Sequence, residues 1–291
     1  MILYGTRIDC DFLPSPELPD EGEYTGILKL REAREGESED GFREAIPLYR
    51  THGRAVYLRS DLPFENNLPG QGWSYEVEGV VRFRWRTGEG EILYRLHEGI
   101  GAELLTFWLT HLFLPLYLTL ERRVEFFHAG AVESEGKALL FLAPSTGGKS
   151  TLTDYFLRRG HPLLTDDKAA TFFRGEEPLV AGAHPYHRPY RAFETLGDKA
   201  SRYWDRFLPL GGLYLLEPAA PEAAVEIGEI RGFSRFDRLM PHFLFQLSFL
   251  REEQFRHLGT LLQKTPVYRI AVPRDLKRLE EVRSAILETS S

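Results

Sequence analysis

Ala143-Pro144-Ser145-Thr146-Gly147-Gly148-Lys149-Ser150-Thr151 follows the apolar run Ala138-Leu139-Leu140-Phe141-Leu142 and precedes Leu152, Tyr155, Phe156 and Leu157, which recur at helical spacing. The stretch predicts a strand, a tight loop and a helix, hence an α/β fold. A loop of this kind suits phosphate. Its glycines let consecutive backbone N–H groups converge on phosphate oxygens, and the helix N-terminus adds the positive end of its dipole. A lysine neutralises charge, and the hydroxyl after it holds Mg²⁺. The nucleotide-binding set is Ser145, Thr146, Gly147, Gly148, Lys149, Ser150 and Thr151, with Lys149 and Ser150 in the last two roles. The usual spacing is G-x-x-x-x-G-K-[ST], and Ala143 stands where the first glycine is expected.

The 291 residues are long enough for two domains with substantial cores. A hydrophobic fraction of 43% and a charged fraction of 27% are those of a globular chain, and the net charge of -7 leaves no basic footprint for nucleic acid. A single cysteine, Cys10, excludes an internal disulfide. The opening Met-Ile-Leu-Tyr-Gly-Thr-Arg lacks the basic start and long apolar segment of a signal peptide. The cytoplasm is therefore the expected location.

Residues 1–100 have a different texture and are expected to form a smaller β-rich N-terminal domain. Trp73, Tyr75 and Val77, then Val81, Phe83 and Trp85, alternate with polar residues and predict a hairpin. After the turn Thr87-Gly88-Glu89-Gly90, the residues Ile92, Tyr94 and Leu96 alternate again. Ile2 to Phe12, Tyr24 to Leu30 and Arg54 to Leu58 predict further strands. The aromatic stripe reads as core, and no catalytic constellation accompanies it.

From Leu104 to Leu120 the chain is almost continuously apolar for 17 residues. That is the short limit of a membrane span, and His111, Pro115 and several threonines interrupt it. The expectation is a buried helix kinked near Pro115, with no membrane span. Val124 to Val132 reads as one strand, so the boundary is expected within 100–123 and the second domain over 101–291. There Leu210 to Leu216, Ala224 to Ile230 and Val267 to Val272 predict strands. Phe255, Leu258, Leu261 and Leu262 predict one apolar helix face, and Leu276, Leu279, Val282 and Ile286 another.

The second informative stretch is Arg159-Gly160-His161-Pro162-Leu163-Leu164-Thr165-Asp166-Asp167. Gly160 closes the helix, Pro162 to Leu164 start a short strand, and two aspartates stand at its C-terminal end, where α/β proteins gather functional groups. One carboxylate can hold Mg²⁺ while the other accepts a proton from an attacking hydroxyl.

Phe127-His128-Ala129-Gly130-Ala131-Val132, the loop Ala143 to Thr151, and Arg159 to Asp167 together resemble the three successive motifs of the HPr kinase/phosphorylase catalytic domain. His128 precedes Lys149 by 21 residues and Asp166 follows it by 17, which fits the family's spacing. The similarity is greatest to the HPr-kinase-related proteins found beside peptide-modification genes, in which a small N-terminal domain precedes the catalytic one. The resemblance implies a phosphate-loop kinase domain of HPr-kinase type using ATP and Mg²⁺. Lys149 matches the phosphate-binding lysine, Ser150 and Asp167 the metal ligands, Asp166 the general base towards a substrate hydroxyl, and His128 a histidine beside that base. The family's later glycine-rich signature is not recognisable, so neither phosphorylase activity nor HPr as substrate is implied.

In that signature's approximate position stands Ala181-Gly182-Ala183-His184-Pro185-Tyr186-His187-Arg188-Pro189-Tyr190-Arg191. Phosphoryl transfer spreads negative charge, so Arg188 or Arg191 has a physical role near the γ-phosphate; both read equally as surface side chains. His128 alone also reads as a core histidine. The expected partner is a peptide or small protein bearing a serine hydroxyl. A free-serine kinase and a nucleotide-binding regulatory module without turnover are the alternatives. The sequence leaves the oligomeric state open, a homo-oligomer included.

Overall fold

The computed structural model describes residues 1–14, 17–37, 42, 46–51, 53–64, 68–144, 146–188 and 194–290. The chain is mixed α/β with several sheets and divides into two compact units. One is Met1–Arg123 with Ala192–Leu196; the other is Val124–Arg191 with Gly197–Ser291.

The first unit is built on a sheet of eight strands: β1 (Ile2–Leu3), β2 (Thr6–Cys10), β3 (Gly26–Glu32), β4 (Ile46–Thr51), β5 (Arg54–Ser60), β6 (Gly72–Val77), β7 (Val81–Arg86) and β8 (Glu91–Leu96). Their order is β1-β2-β3-β8-β7-β6-β5-β4. Strand β3 runs parallel to β2 and β8, and the remaining pairs are antiparallel. The expected hairpin is the β6–β7 pair, in register with Trp73 opposite Trp85 and Tyr75 opposite Phe83. All four rings are buried. Burying one face of a sheet in this way needs a covering element.

That cover is the apolar segment, which forms α1 (Ala102–Trp108), a π-helical turn (Leu109–Phe113) and α2 (Leu114–Leu120). Phe113 stacks on Phe83 at 3.9 Å between centroids, with Tyr75 and Trp85 at 5.5 and 5.4 Å. By length and apolarity the 19 residues are enough to cross a membrane, and 83% of their most apolar window is buried. Because it packs here, the division between units falls after Arg123, at the far end of the 100–123 stretch in which the sequence places the boundary. Glu194 joins this unit through Arg54 (2.6 Å) and the Trp108 indole (3.0 Å).

The irregularity precedes Pro115 and has a specific cause. In an i→i+5 turn the carbonyl of Thr110 would accept from residue 115, and proline has no N–H. The Tyr4 hydroxyl donates to that carbonyl instead, at 3.0 Å.

The second unit carries a sheet of nine strands: β9 (Glu125–Phe127), β10 (Ala129–Ser134), β11 (Lys137–Leu142), β12 (Leu163–Thr165), β13 (Ala169–Arg174), β14 (Glu177–Ala181), β17 (Leu208–Ala219), β18 (Ile227–Glu229) and β19 (Val267–Pro273). Two short strands, β15 (Tyr186–His187) and β16 (Asp198–Lys199), pair separately. The long β17 runs parallel to β11 and β19, and β10 is antiparallel to both β11 and β12. The helices are α3 (Lys149–Arg158), α4 (Ser234–Leu239), α5 (Arg251–Leu261) and α6 (Leu279–Ser290).

Strand alternation sends β11 side chains to two cores. Leu139 and Phe141 meet Leu152 and Phe156 of α3 and Val282 and Ile286 of α6; Leu140 and Leu142 share the other core with Leu239, Leu258 and Leu261 of α4 and α5. Helices thus cover both faces of the central strands. Two expected helix-face members lie outside these cores. Leu276 is 71% exposed in a 3₁₀ turn ahead of α6, and Phe255 is 45% exposed on α5. Ala224 to Ile230 contributes only the three residues of β18.

Candidate functional site

The expected single strand over 124–132 is two strands that change partners. Up to Phe127 it pairs with β13, and from Ala129 it pairs with β11 and β12. The break at His128 is stabilised by backbone bonds from distant segments: His128 N donates to His242 O at 2.8 Å, and Ala129 N to Asp167 O at 3.1 Å. On the other side, β12 ends at Thr165 and β13 starts at Ala169, so Asp166, Asp167 and Lys168 occupy the matching gap. Two strand breaks side by side turn polar side chains out of an otherwise apolar sheet.

The quoted loop joins β11 to α3, as expected. Gly148 takes φ 92°, and Cβ at Gly147 would lie 2.6 Å from Cβ of Ala143, so the loop is closed tightly at the residue that replaces the usual first glycine. Thr146 adopts φ 67°, a conformation that costs about 1–2 kcal/mol in a non-glycine residue. Lys149 is the first residue of α3 and only 6% exposed; its Nζ donates to Ala143 O at 2.7 Å and Pro144 O at 3.3 Å. Ser150 and Thr151 follow in the first turn, where N–H groups have no intrahelical acceptor. Ser145 lies outside the described residues.

Asp166 is 8% exposed. Its Oδ2 accepts from the backbone N–H of Arg188 at 2.8 Å, while Oδ1 is enclosed with no donor at bonding distance among the described residues. Burial raises the Asp166 carboxyl above the ordinary carboxylate range and the Asp167 charge adds to this; the Arg188 N–H, His187 and the Ser150 hydroxyl work against it. Asp167 Oδ1 faces His128 Nδ1 at 3.1 Å, and Asp167 Oδ2 accepts from Lys168 Nζ. His128, Asp166, Asp167 and Ser150 therefore converge. Arg188 joins through its backbone, with its side-chain charge felt at Lys168 and His184. Arg191 lies outside the described residues.

Three further groups bear on this site; Lys168 and His242 escape a reading of the sequence, whereas His184 stands in the stretch 181–191 already singled out there. Lys168 is buried against Asp167; its position immediately after two acids and before an apolar run was a usable signal. Burial holds His184 down to about 3, helped by the Lys168 and Arg188 charges, so it is neutral; its Nδ1 accepts from Tyr186 N. His242, pushed down to about 4 by burial and by the Lys149 and His128 charges, arrives from more than 90 residues beyond the loop and had no local signal.

The donor set suits a hard cation beside a nucleotide: one hydroxyl and two carboxylates, all oxygen. Among the described residues no group of three or more His, Cys, Asp or Glu side chains is arranged to hold a metal unaided. Any Mg²⁺ at Ser150 and Asp167 would need further oxygens, which phosphates and water supply.

No family model matches the chain, and no curated protein sequence matches it. Among solved structures it is similar to the Hpr(Ser) kinase/phosphatase from Coxiella burnetii, with 15% identity and a TM-score of 0.31 over 57% of this chain and 99% of that one.

Proposed function

We propose that the second unit is an ATP- and Mg²⁺-dependent phosphotransferase that passes the γ-phosphate to a hydroxyl, the serine of a peptide or small protein. One observation carries the reading: the tight strand–loop–helix bearing Lys149 and Ser150 stands beside a carboxylate, Asp166, whose environment raises its basicity. Nucleotide binding alone needs no such base, which favours turnover over a regulatory module.

Mg·ATP, when bound, supplies the phosphoryl group and spreads its charge over metal and protein. The chain's own residues do the rest. Lys149, together with the backbone N–H groups of Gly148 to Thr151, offsets phosphate charge at the N-terminus of α3. Ser150 and Asp167 are the residues that would hold the cation, and His128 fixes the Asp167 carboxylate by its contact with Oδ1. Asp166, oriented through Oδ2 by the Arg188 N–H, is the carboxylate that would take the acceptor's proton. A raised basicity brings it nearer the working pH of a general base.

The test is mass spectrometry of peptides and of free serine incubated with the full chain, ATP and Mg²⁺. A phosphate on a peptide serine is the expected result, and phosphoserine from the free amino acid would move the acceptor to a small molecule. Bound ATP with no phosphorylated acceptor of either kind would contradict transfer and favour the regulatory module.

A further inference from the structure

Lys168 stands where an ammonium is costly. It is 3% exposed in the gap between β12 and β13, and its Nζ is ion-paired to Asp167 Oδ2. An ion removed from water loses several kcal/mol of solvation unless a partner compensates it. Asp167 is that partner, Asp166 adds attraction, and Arg188 is a second positive charge in range. The two carboxylates are thus balanced by charges the chain itself carries. Asp167, moreover, has one oxygen against His128 and the other against Lys168.

A divalent cation approaching Asp167 alone meets an ammonium at contact distance. It also finds too few protein ligands, since no group of three or more candidate side chains is arranged for a metal among the described residues. A nucleotide changes both terms, because its phosphates add negative charge and oxygen ligands together. We infer that Lys168 is a resident counter-cation: it holds the Asp167 carboxylate until nucleotide arrives and then yields it, so that the metal is captured with the nucleotide and not before it. The inference rests on the reading of Ser150 and Asp167 as metal-holding residues.

Mn²⁺, counted by electron paramagnetic resonance of the free ion, is the probe, with the full chain and no nucleotide. Wild type is expected to bind free Mn²⁺ far more weakly than Mn²⁺ with ATP. Lys168→Met keeps the side-chain stem and removes the charge. It should tighten free Mn²⁺ binding by about tenfold or more, the scale of one lost charge-assisted contact. The gain should vanish in Asp167→Asn/Lys168→Met, and Lys168→Arg should behave as wild type. An unchanged or weaker free-Mn²⁺ affinity in folded Lys168→Met overturns the inference. So does wild type binding free Mn²⁺ as tightly without ATP as with it, a result that needs no variant to fold. Failure of wild type to bind ATP at all would overturn the phosphate-loop reading itself, whereas ATP binding with no gain in Lys168→Met removes only the counter-cation.

Discussion

Lys149 shows how one side chain serves two states. Its ammonium bonds the carbonyls of Ala143 and Pro144, which keeps a buried charge satisfied and the loop closed over α3. Lys149→Ala should cost about 1–3 kcal/mol of stability through these lost charged bonds. Calorimetry should show a much larger loss in ATP affinity; unchanged affinity in the folded variant would remove Lys149 from the phosphate site. Glu125, at the start of β9, makes a different prediction. Burial pushes its carboxyl up to about 8, with Glu253 adding and Gln254 opposing, and its Oε2 has no bonding partner among the described residues. A folded carboxyl that holds its proton above the ordinary 4.5 contributes its stability in full below that pH, and the contribution fades as pH rises through about 8. The melting temperature of wild type should therefore fall across that window, and Glu125→Gln should flatten the fall. Equal slopes in the two proteins would show that Glu125 ionises freely.

At the scale of elements, the site exists because two neighbouring strands break at the same level. Gly130, in β10 just past the break, lets α3 approach: a Cβ there would lie 2.3 Å from Thr153 Oγ1. Gly130→Ala should destabilise by about 1–3 kcal/mol through overpacking, measurable by denaturant unfolding. In the first unit Phe113 is one ring, with Tyr117, through which the helical segment meets β6 and β7, and Phe113→Ala should cost about 3–5 kcal/mol. A loss below 1 kcal/mol would mean that the π-helical turn is not anchored there. The strand–loop–helix and the aromatic sheet were legible because each rests on local periodicity. The break at His128 was not, since residues 124–132 are almost uniformly apolar and the bonds that split them come from His242 and Asp167. Strands β13 and β14 were missed although they form a local hairpin around Gly175-Glu176; only their outer edges depend on β9 and β17, far away in sequence. The π-helical turn was half legible, as Pro115 announces an irregularity but only Tyr4 explains how the freed carbonyl is satisfied.

Across the whole molecule the described candidate residues, from His128 to Arg188, all belong to the second unit, and the first unit contributes an aromatic core, with no such cluster among its described residues. The three motifs are separated in sequence but share one sheet, because β10, β11 and β12 are immediate neighbours in it. We propose that this convergence performs transfer, with Asp166 as proton acceptor and Lys149, Ser150 and Asp167 on the nucleotide side. Single-turnover transfer from γ-labelled ATP by wild type and Asp166→Asn, alongside Mg·ATP affinity, tests it most directly. Asp166→Asn should keep affinity within a few-fold of wild type and transfer at a rate lower by roughly 10² or more, the scale of a lost general base. Transfer by Asp166→Asn at the wild-type rate would contradict it.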